Sequence, residues 1–337
     1  MTTPSVAQAL SVDKLQMYFP LKQGWLGQKR AWIRAVDGVS FSVGLGETLG
    51  LVGESGCGKS SLGRTLIRLY RPTSGSIQIC GQEIGALEGE SLRKARVNFQ
   101  MIFQDPYASL NPRMTVFDSI AEPLRTHGMA KNKQELAQKI ESLMQKVGLS
   151  PRFIRKYPHE FSGGQRQRVA IARALAMNPK VIICDEPISA LDVSIQAQIL
   201  NLLVTLQKEL GLSYLFIAHD LAAVRYISSR IAVMYLGRIV EIANKTDLFA
   251  GSRHPYTQAL LSAVPIADPK KERMRKRILL SGDLPSPVNP PSGCTFHTRC
   301  PYAQPRCVAE VPVAEEIGAG HQVVCHFATG RLLPRSI

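Results

Sequence analysis

Thr48-Leu49-Gly50-Leu51-Val52-Gly53-Glu54-Ser55-Gly56-Cys57-Gly58-Lys59-Ser60-Ser61 decides the fold class of this chain. An apolar strand, Thr48 to Val52, runs straight into a glycine-rich loop, and residues 61–69 continue as a helix. The loop, Gly53 to Ser60, has the form G-x-x-x-x-G-K-S. Glycines there let backbone N–H groups wrap a phosphate. Lys59 can neutralise β- and γ-phosphate charge, and the Ser60 hydroxyl can ligate Mg²⁺. The N-terminus of the following helix adds a favourable dipole.

Working outward, short strands are predicted at Val12 to Met17, Val39 to Val43 and Ser76 to Cys80, the last after the turn Pro72-Thr73-Ser74-Gly75. Residues 115–148 have helical apolar spacing, interrupted near Gly128. Ser162 can cap a helix that runs through Arg168 to Met177 and stops before Pro179. Val181 to Cys184 and Tyr214 to Ala218 read as buried strands, with a helix over 194–209 between them. Such strand-loop-helix units imply an α/β fold with a mainly parallel sheet covered by helices. The strand at Val181 ends in Asp185-Glu186. With a phosphate loop in the same chain, Asp185 is placed to hold Mg²⁺ and Glu186 to orient or deprotonate the attacking water.

The chain has 337 residues, enough for one large domain with an appendage or for two modest ones. It holds 41 Lys and Arg against 26 Asp and Glu, a net +15, which points to a solvated basic surface, anionic headgroups, an acidic partner or nucleic acid. The densest basic run, Lys270 to Arg277, has no interleaved aromatics, which argues against stacking on single strands. No apolar run approaches the ~20 residues that span a bilayer. Met1 to Val12 lacks a secretory pattern, so the expectation is a chain on the cytosolic side.

Phe161-Ser162-Gly163-Gly164-Gln165-Arg166-Gln167-Arg168 lies between the phosphate loop and the acid-terminated strand. In that order the motifs resemble those of ATP-binding-cassette (ABC) ATPases, over roughly residues 12–250. The resemblance implies a RecA-like core with an antiparallel β edge and a helical subdomain at about 105–160. It implies ATP contacts from Gly53, Glu54, Ser55, Gly56, Cys57, Gly58, Lys59, Ser60 and Ser61. Gln104 matches the glutamine that touches Mg²⁺ or water, Asp192 lies in a segment like the D-loop, and His219 resembles the histidine at the γ-phosphate. Ser162, Gly163, Gly164 and Gln165 resemble the signature that closes over ATP held by a partner cassette. An adenine ring needs a flat apolar face. Phe19 matches the family position, with Tyr18 and Trp32 as rivals.

From about Pro265 the composition turns proline-rich, and an irregular extension is expected, giving a division at residues 1–264 and 265–337. The stretches His254 to Leu261, Gly282 to Pro287 and Pro290 to Pro301 resemble the C-terminal extension of oligopeptide and dipeptide importer ATPases. That branch also serves nickel, glutathione and opine-type substrates. Within it the chain looks most like the second ATPase subunit of dipeptide and oligopeptide systems. The resemblance implies a paralogous ATPase subunit as partner, two transmembrane permease subunits and a periplasmic or extracellular solute-binding protein. It also implies a peripheral place on the cytoplasmic face of the inner membrane. A soluble nucleic-acid or ribosome-associated ABC ATPase is the rival class; a single cassette without a coiled-coil insertion speaks against it.

Four of the seven cysteines, Cys294, Cys300, Cys307 and Cys325, fall in the last 44 residues, at spacings of six, seven and eighteen. Four thiolates can hold a [4Fe–4S] cluster or a tetrahedral zinc. The absence of tight C-x₂-C pairs, together with the resemblance, favours the cluster over zinc, with free or disulfide thiols as the third reading. Such a centre would staple a segment that has little core of its own. His297 and His326 flank the cysteines and are read as bystanders.

Overall fold

The computed structural model describes residues 8–23, 29–265, 268–274 and 277–329. Arg275 and Lys276 of the basic run, and residues 1–7 of the N-terminal stretch, lie outside the described residues. Through its described residues the chain divides into two compact units. Of the described residues, one gathers 8–11, 42–48 and 77–217, and the other those within 12–41, 49–76 and 218–329.

The first unit is built on three parallel strands, Phe99–Ile102, Val181–Asp185 and Ser213–Ile217, with Val181–Asp185 in the middle. Both faces of the middle strand are covered, so every residue from Val181 to Asp185 is buried. This is why the sequence there reads as an unbroken apolar run and not as an alternation. Helix Gly163–Leu175 packs on Phe99–Ile102 and on helices Val116–Thr126, Lys133–Lys146 and Val193–Leu210. The break expected near Gly128 falls between the Val116 and Lys133 helices, where Gly128 takes φ +63°. Arg168 locks the helical layer by donating from Nη1 to the carbonyl of Val147 at 2.6 Å.

The second unit holds the phosphate loop. Thr48–Val52 pairs in parallel with Arg230–Tyr235, which turns through Leu236 and Gly237 into antiparallel Arg238–Asn244. The extension then continues this antiparallel edge: His321–Val324 pairs with Arg238–Asn244, and Ala314–Gly318 pairs with His321–Val324. The proline-rich stretch is irregular as expected, and its C-terminal end adds a hairpin to the sheet. Glu241 lies wholly buried at this junction. Its carboxylate accepts the backbone N–H groups of Arg253 and His254 at 2.8 and 3.0 Å and is 2.8 Å from His321 Nε2. A buried carboxylate is tolerated only when so saturated with partners.

The strands predicted as short at the start of the chain are long, Gln8–Gln23 and Lys29–Gly44. Asp37, nearly buried, accepts from Tyr18 Oη and from Arg238 Nη2 and Nε at 2.8 and 3.0 Å. Burial pushes the Asp37 carboxyl up, but the Tyr18 hydrogen bond and the Arg238 guanidinium outweigh it and hold it below the usual range.

Candidate functional site

In the phosphate loop, Gly58 sits at φ +108°, and a Cβ there would meet the Ala35 carbonyl oxygen at 2.0 Å. Only glycine allows this approach. Lys59 begins the following helix, Lys59–Leu66, and is buried. Its Nζ donates to the carbonyls of Gly53 and Glu54 at 2.7 and 2.9 Å, so the ammonium bridges the loop from within. Burial pushes the Cys57 thiol up, despite the nearby ammonium, and makes it an inert wall of the loop. His219 follows Ala218, whose N–H donates to Leu51 at 3.2 Å. The histidine therefore stands at the C-terminal end of the strand that feeds the loop.

The loop is gripped from behind. The Glu54 N–H donates to the hydroxyl of Tyr256 at 2.8 Å. The Glu54 carboxylate accepts Arg299 Nη1 and Nη2 at 2.7 and 3.1 Å. Gly237 donates to the Cys57 carbonyl at 2.8 Å. Tyr235, Tyr256 and Phe296 form an aromatic knot beneath, with ring centroids 4.7 to 5.5 Å apart. Sequence reasoning gave neither Tyr256 nor Arg299 a role. The available signal was that both fall inside stretches carrying the resemblance.

In the first unit Gln104 and Glu186 come together: Gln104 Nε2 donates to Glu186 Oε2 at 2.9 Å. Asp185 is fully buried at the strand end. Glu186 has a left-handed backbone, φ +48°, held by its N–H donating to Ile217 at 2.9 Å. A non-glycine residue in this region is uncommon and collects at functional sites. The next turn is pinned by Ser189, which donates from Oγ to the Glu186 carbonyl at 3.1 Å, and by Gln196, which donates to Ile188 and Leu191. Asp192 is the N-cap residue of helix Val193–Leu210 and makes no side-chain cap bond.

Ser162 and Gln165 form a reciprocal capping box at the start of helix Gly163–Leu175. Ser162 and Gly163 are exposed, whereas Gly164 is buried. A Cβ at Gly164 would lie 2.5 Å from Ile195 Cγ2. This glycine serves helix packing, beside any service to a ligand. Of the aromatic candidates, Phe19 is half-buried and packs edge-on against Tyr70 at 5.1 Å. Tyr18 is committed to Asp37, and Trp32 is 47% exposed.

Cys294, Cys300, Cys307 and Cys325 carry free thiols and line one small cavity with His254, His297 and His326. Burial pushes the Cys300 and Cys325 thiols up to about 11, with the neighbouring cysteines adding to the shift. His297 Nδ1 lies 2.9 Å from the Cys294 carbonyl and His326 Nε2 3.0 Å from that of Glu310. Among the described residues, no three His, Cys, Asp or Glu side chains stand where they could hold a single metal ion.

The family model described as ABC transporter matches residues 36–189, and that described as the C-terminal region of the oligopeptide/dipeptide transporter matches residues 240–307. The oligopeptide transport ATP-binding protein AppF of Bacillus subtilis is 55% identical over 97% of this chain and 99% of its own length. The chain belongs to the ABC transporter family of ATP-binding proteins. The oligopeptide transport ATP-binding protein OppF of Salmonella typhimurium is 54% identical over 91% of this chain and 92% of its own. Among solved structures, a dimeric post-hydrolysis state of the cassette MJ0796 bound to ADP and Pi aligns with TM-score 0.62 and 29% identity, over 70% of this chain and 98% of that one. The fold is thus that of an ABC ATPase nucleotide-binding domain with a cysteine-containing extension. Among the described residues, no helix is long and apolar enough to cross a membrane.

Proposed function

We propose that this chain is the ATP-hydrolysing subunit of a membrane importer for oligopeptides. The observation that carries the proposal is the Gln104–Glu186 pair, in a chain whose phosphate loop is fully formed and whose extension matches the oligopeptide/dipeptide transporter region. Lys59 and the loop N–H groups bind the β- and γ-phosphates. Ser60 and Asp185 supply a hydroxyl and a carboxylate, the oxygen donors that Mg²⁺ takes, and the bound ion offsets phosphate charge. Glu186, oriented by Gln104, positions the attacking water and accepts its proton, and His219 contacts the γ-phosphate. Phe19 stacks on adenine. Ser162, Gly163, Gly164 and Gln165 close over ATP held by a paralogous cassette, with Asp192 in the segment between the two sites. Two permease subunits hold the pair at the cytoplasmic face of the inner membrane, and a solute-binding protein delivers peptide.

In vesicles containing the assembled transporter, Glu186→Gln should leave ATP binding within about twofold and lower hydrolysis and peptide uptake at least ~100-fold. Unchanged hydrolysis would remove the assigned role. Transport of nickel or glutathione but not peptide would correct the cargo.

For the four cysteines, which line one cavity, the loose spacing and the resemblance favour a [4Fe–4S] cluster over zinc; as placed, no three of them stand where they could hold a single ion, so the fit to either is not met in this arrangement. When bound, the cluster would cross-link the extension. Anaerobic purification with iron and sulfide assay tests this, and one zinc per colourless chain would overturn it.

A further inference from the structure

Glu54 is the second residue of the phosphate loop, and a carboxylate there is a liability: it places negative charge in a loop built to receive a polyanion. The structure supplies a counter-charge from far along the chain. Arg299, 8% exposed, grips both oxygens of Glu54 in a bidentate fork at 2.7 and 3.1 Å. Such pairs fix geometry as well as charge. Arg299 is itself held. It closes the short 3₁₀ turn His297–Arg299, and its Nε donates to the Ser281 carbonyl at 3.4 Å. Its neighbour Cys300 and the nearby Cys294 line the cysteine cavity. The aromatic knot of Phe296, Tyr235 and Tyr256 underlies the same turn, and Tyr256 receives the Glu54 N–H.

We propose that Arg299 is a positioning and charge-compensating residue for nucleotide binding: acting through Glu54, it neutralises the phosphate loop and makes nucleotide affinity depend on the C-terminal extension. The inference rests on the reading of the loop as this chain's nucleotide site. It needs no metal in the cysteine cavity. Two roles separate cleanly. If Arg299 merely holds the fold, removing Glu54 as well cannot repair its loss. If it cancels charge, taking away the orphaned carboxylate restores binding.

The test is equilibrium binding of a fluorescent ADP analogue to the full chain, with Mg²⁺, for the parent, Arg299→Gln, Glu54→Gln and the double variant. Arg299→Gln should weaken binding about tenfold, and this defect should shrink as salt rises from 50 to 500 mM. The double variant should return to within about threefold of the parent. Glu54→Gln alone, which keeps the backbone N–H of residue 54 and leaves the arginine uncompensated beside the phosphates, should bind the analogue more tightly than the parent. The proposal is overturned if Arg299→Gln binds like the parent, or if the double variant binds no better than Arg299→Gln. Should Arg299→Gln fail to fold, Glu54→Gln still decides: binding no tighter than the parent refutes charge compensation. A parent chain that does not bind the analogue refutes the nucleotide-site reading itself.

Discussion

Gly164→Ala offers a quantitative test of what the second signature glycine does. The added Cβ would stand 2.5 Å from Ile195 Cγ2, more than an ångström inside ordinary contact. Ile195 sits in helix Val193–Leu210, where a β-branched side chain has essentially one comfortable χ1 and cannot swing aside. The two helices must separate slightly or Ile195 must leave its rotamer, at a cost of roughly 1–3 kcal/mol. Removing a helical glycine returns up to about 1 kcal/mol. Taking the middle of that range and the full glycine return, the net expectation is a loss of about 1 kcal/mol. For a chain of this size that lowers Tm by roughly 1–2 °C. Differential scanning fluorimetry of the full chain would measure it. Ile195→Ala in the same background removes the offending methyl and should recover most of the difference. An unchanged Tm for Gly164→Ala, or no recovery in the double variant, would refute the packing argument. If Tm recovers but ATPase activity of the assembled transporter does not, the bare backbone at 164 also serves the ligand.

Two further outcomes follow from other sites. Arg238→Gln removes the cation from nearly buried Asp37 and should cost ~1–3 kcal/mol at pH 7, below the figure for a fully buried pair because Arg238 is partly exposed. Asp37 is held below its ordinary pKa, so the stability it contributes is present above the usual carboxylate value and lost as pH falls through the folded value. Urea midpoints of parent and variant should therefore start to converge as pH falls below about 4, and a gap that stays constant as pH falls further would refute the assignment. Cys300→Ser, purified without oxygen, should lose more than half of the iron found in the parent; equal iron would remove Cys300 from the ligand set.

The segments proposed to bind and hydrolyse ATP were legible because their geometry is local. The phosphate loop, the strand ending in Asp185-Glu186 and the capped helix after Ser162 each carry their geometry within a few residues. Strand Phe99–Ile102 was not predicted, because Phe99-Gln100-Met101-Ile102 is too short to show a period. The hairpin of Arg230–Tyr235 and Arg238–Asn244 was also missed: Gly237 offers a turn signal, but Leu236, which shares the turn at φ +43°, carries none. The hairpin at 314–324 was hidden behind prolines, and its partner strand lies some eighty residues upstream, as with His321 and Glu241. Long-range pairs such as Arg299 with Glu54 leave no local trace at all. Gly164 was read for its ligand-facing backbone, and its packing against Ile195 became visible only once two helices were in place.

The left-handed backbone at Glu186 sets foldability against chemistry at a single α-carbon. A side chain in that region costs on the order of 1–2 kcal/mol that glycine would not incur. Glycine at 186 would thus relax the turn after Asp185 while removing the carboxylate that Gln104 holds in place. Selection for robustness alone would drift toward that mute variant. Holding a glutamate there against that cost is what the role proposed for residue 186 requires.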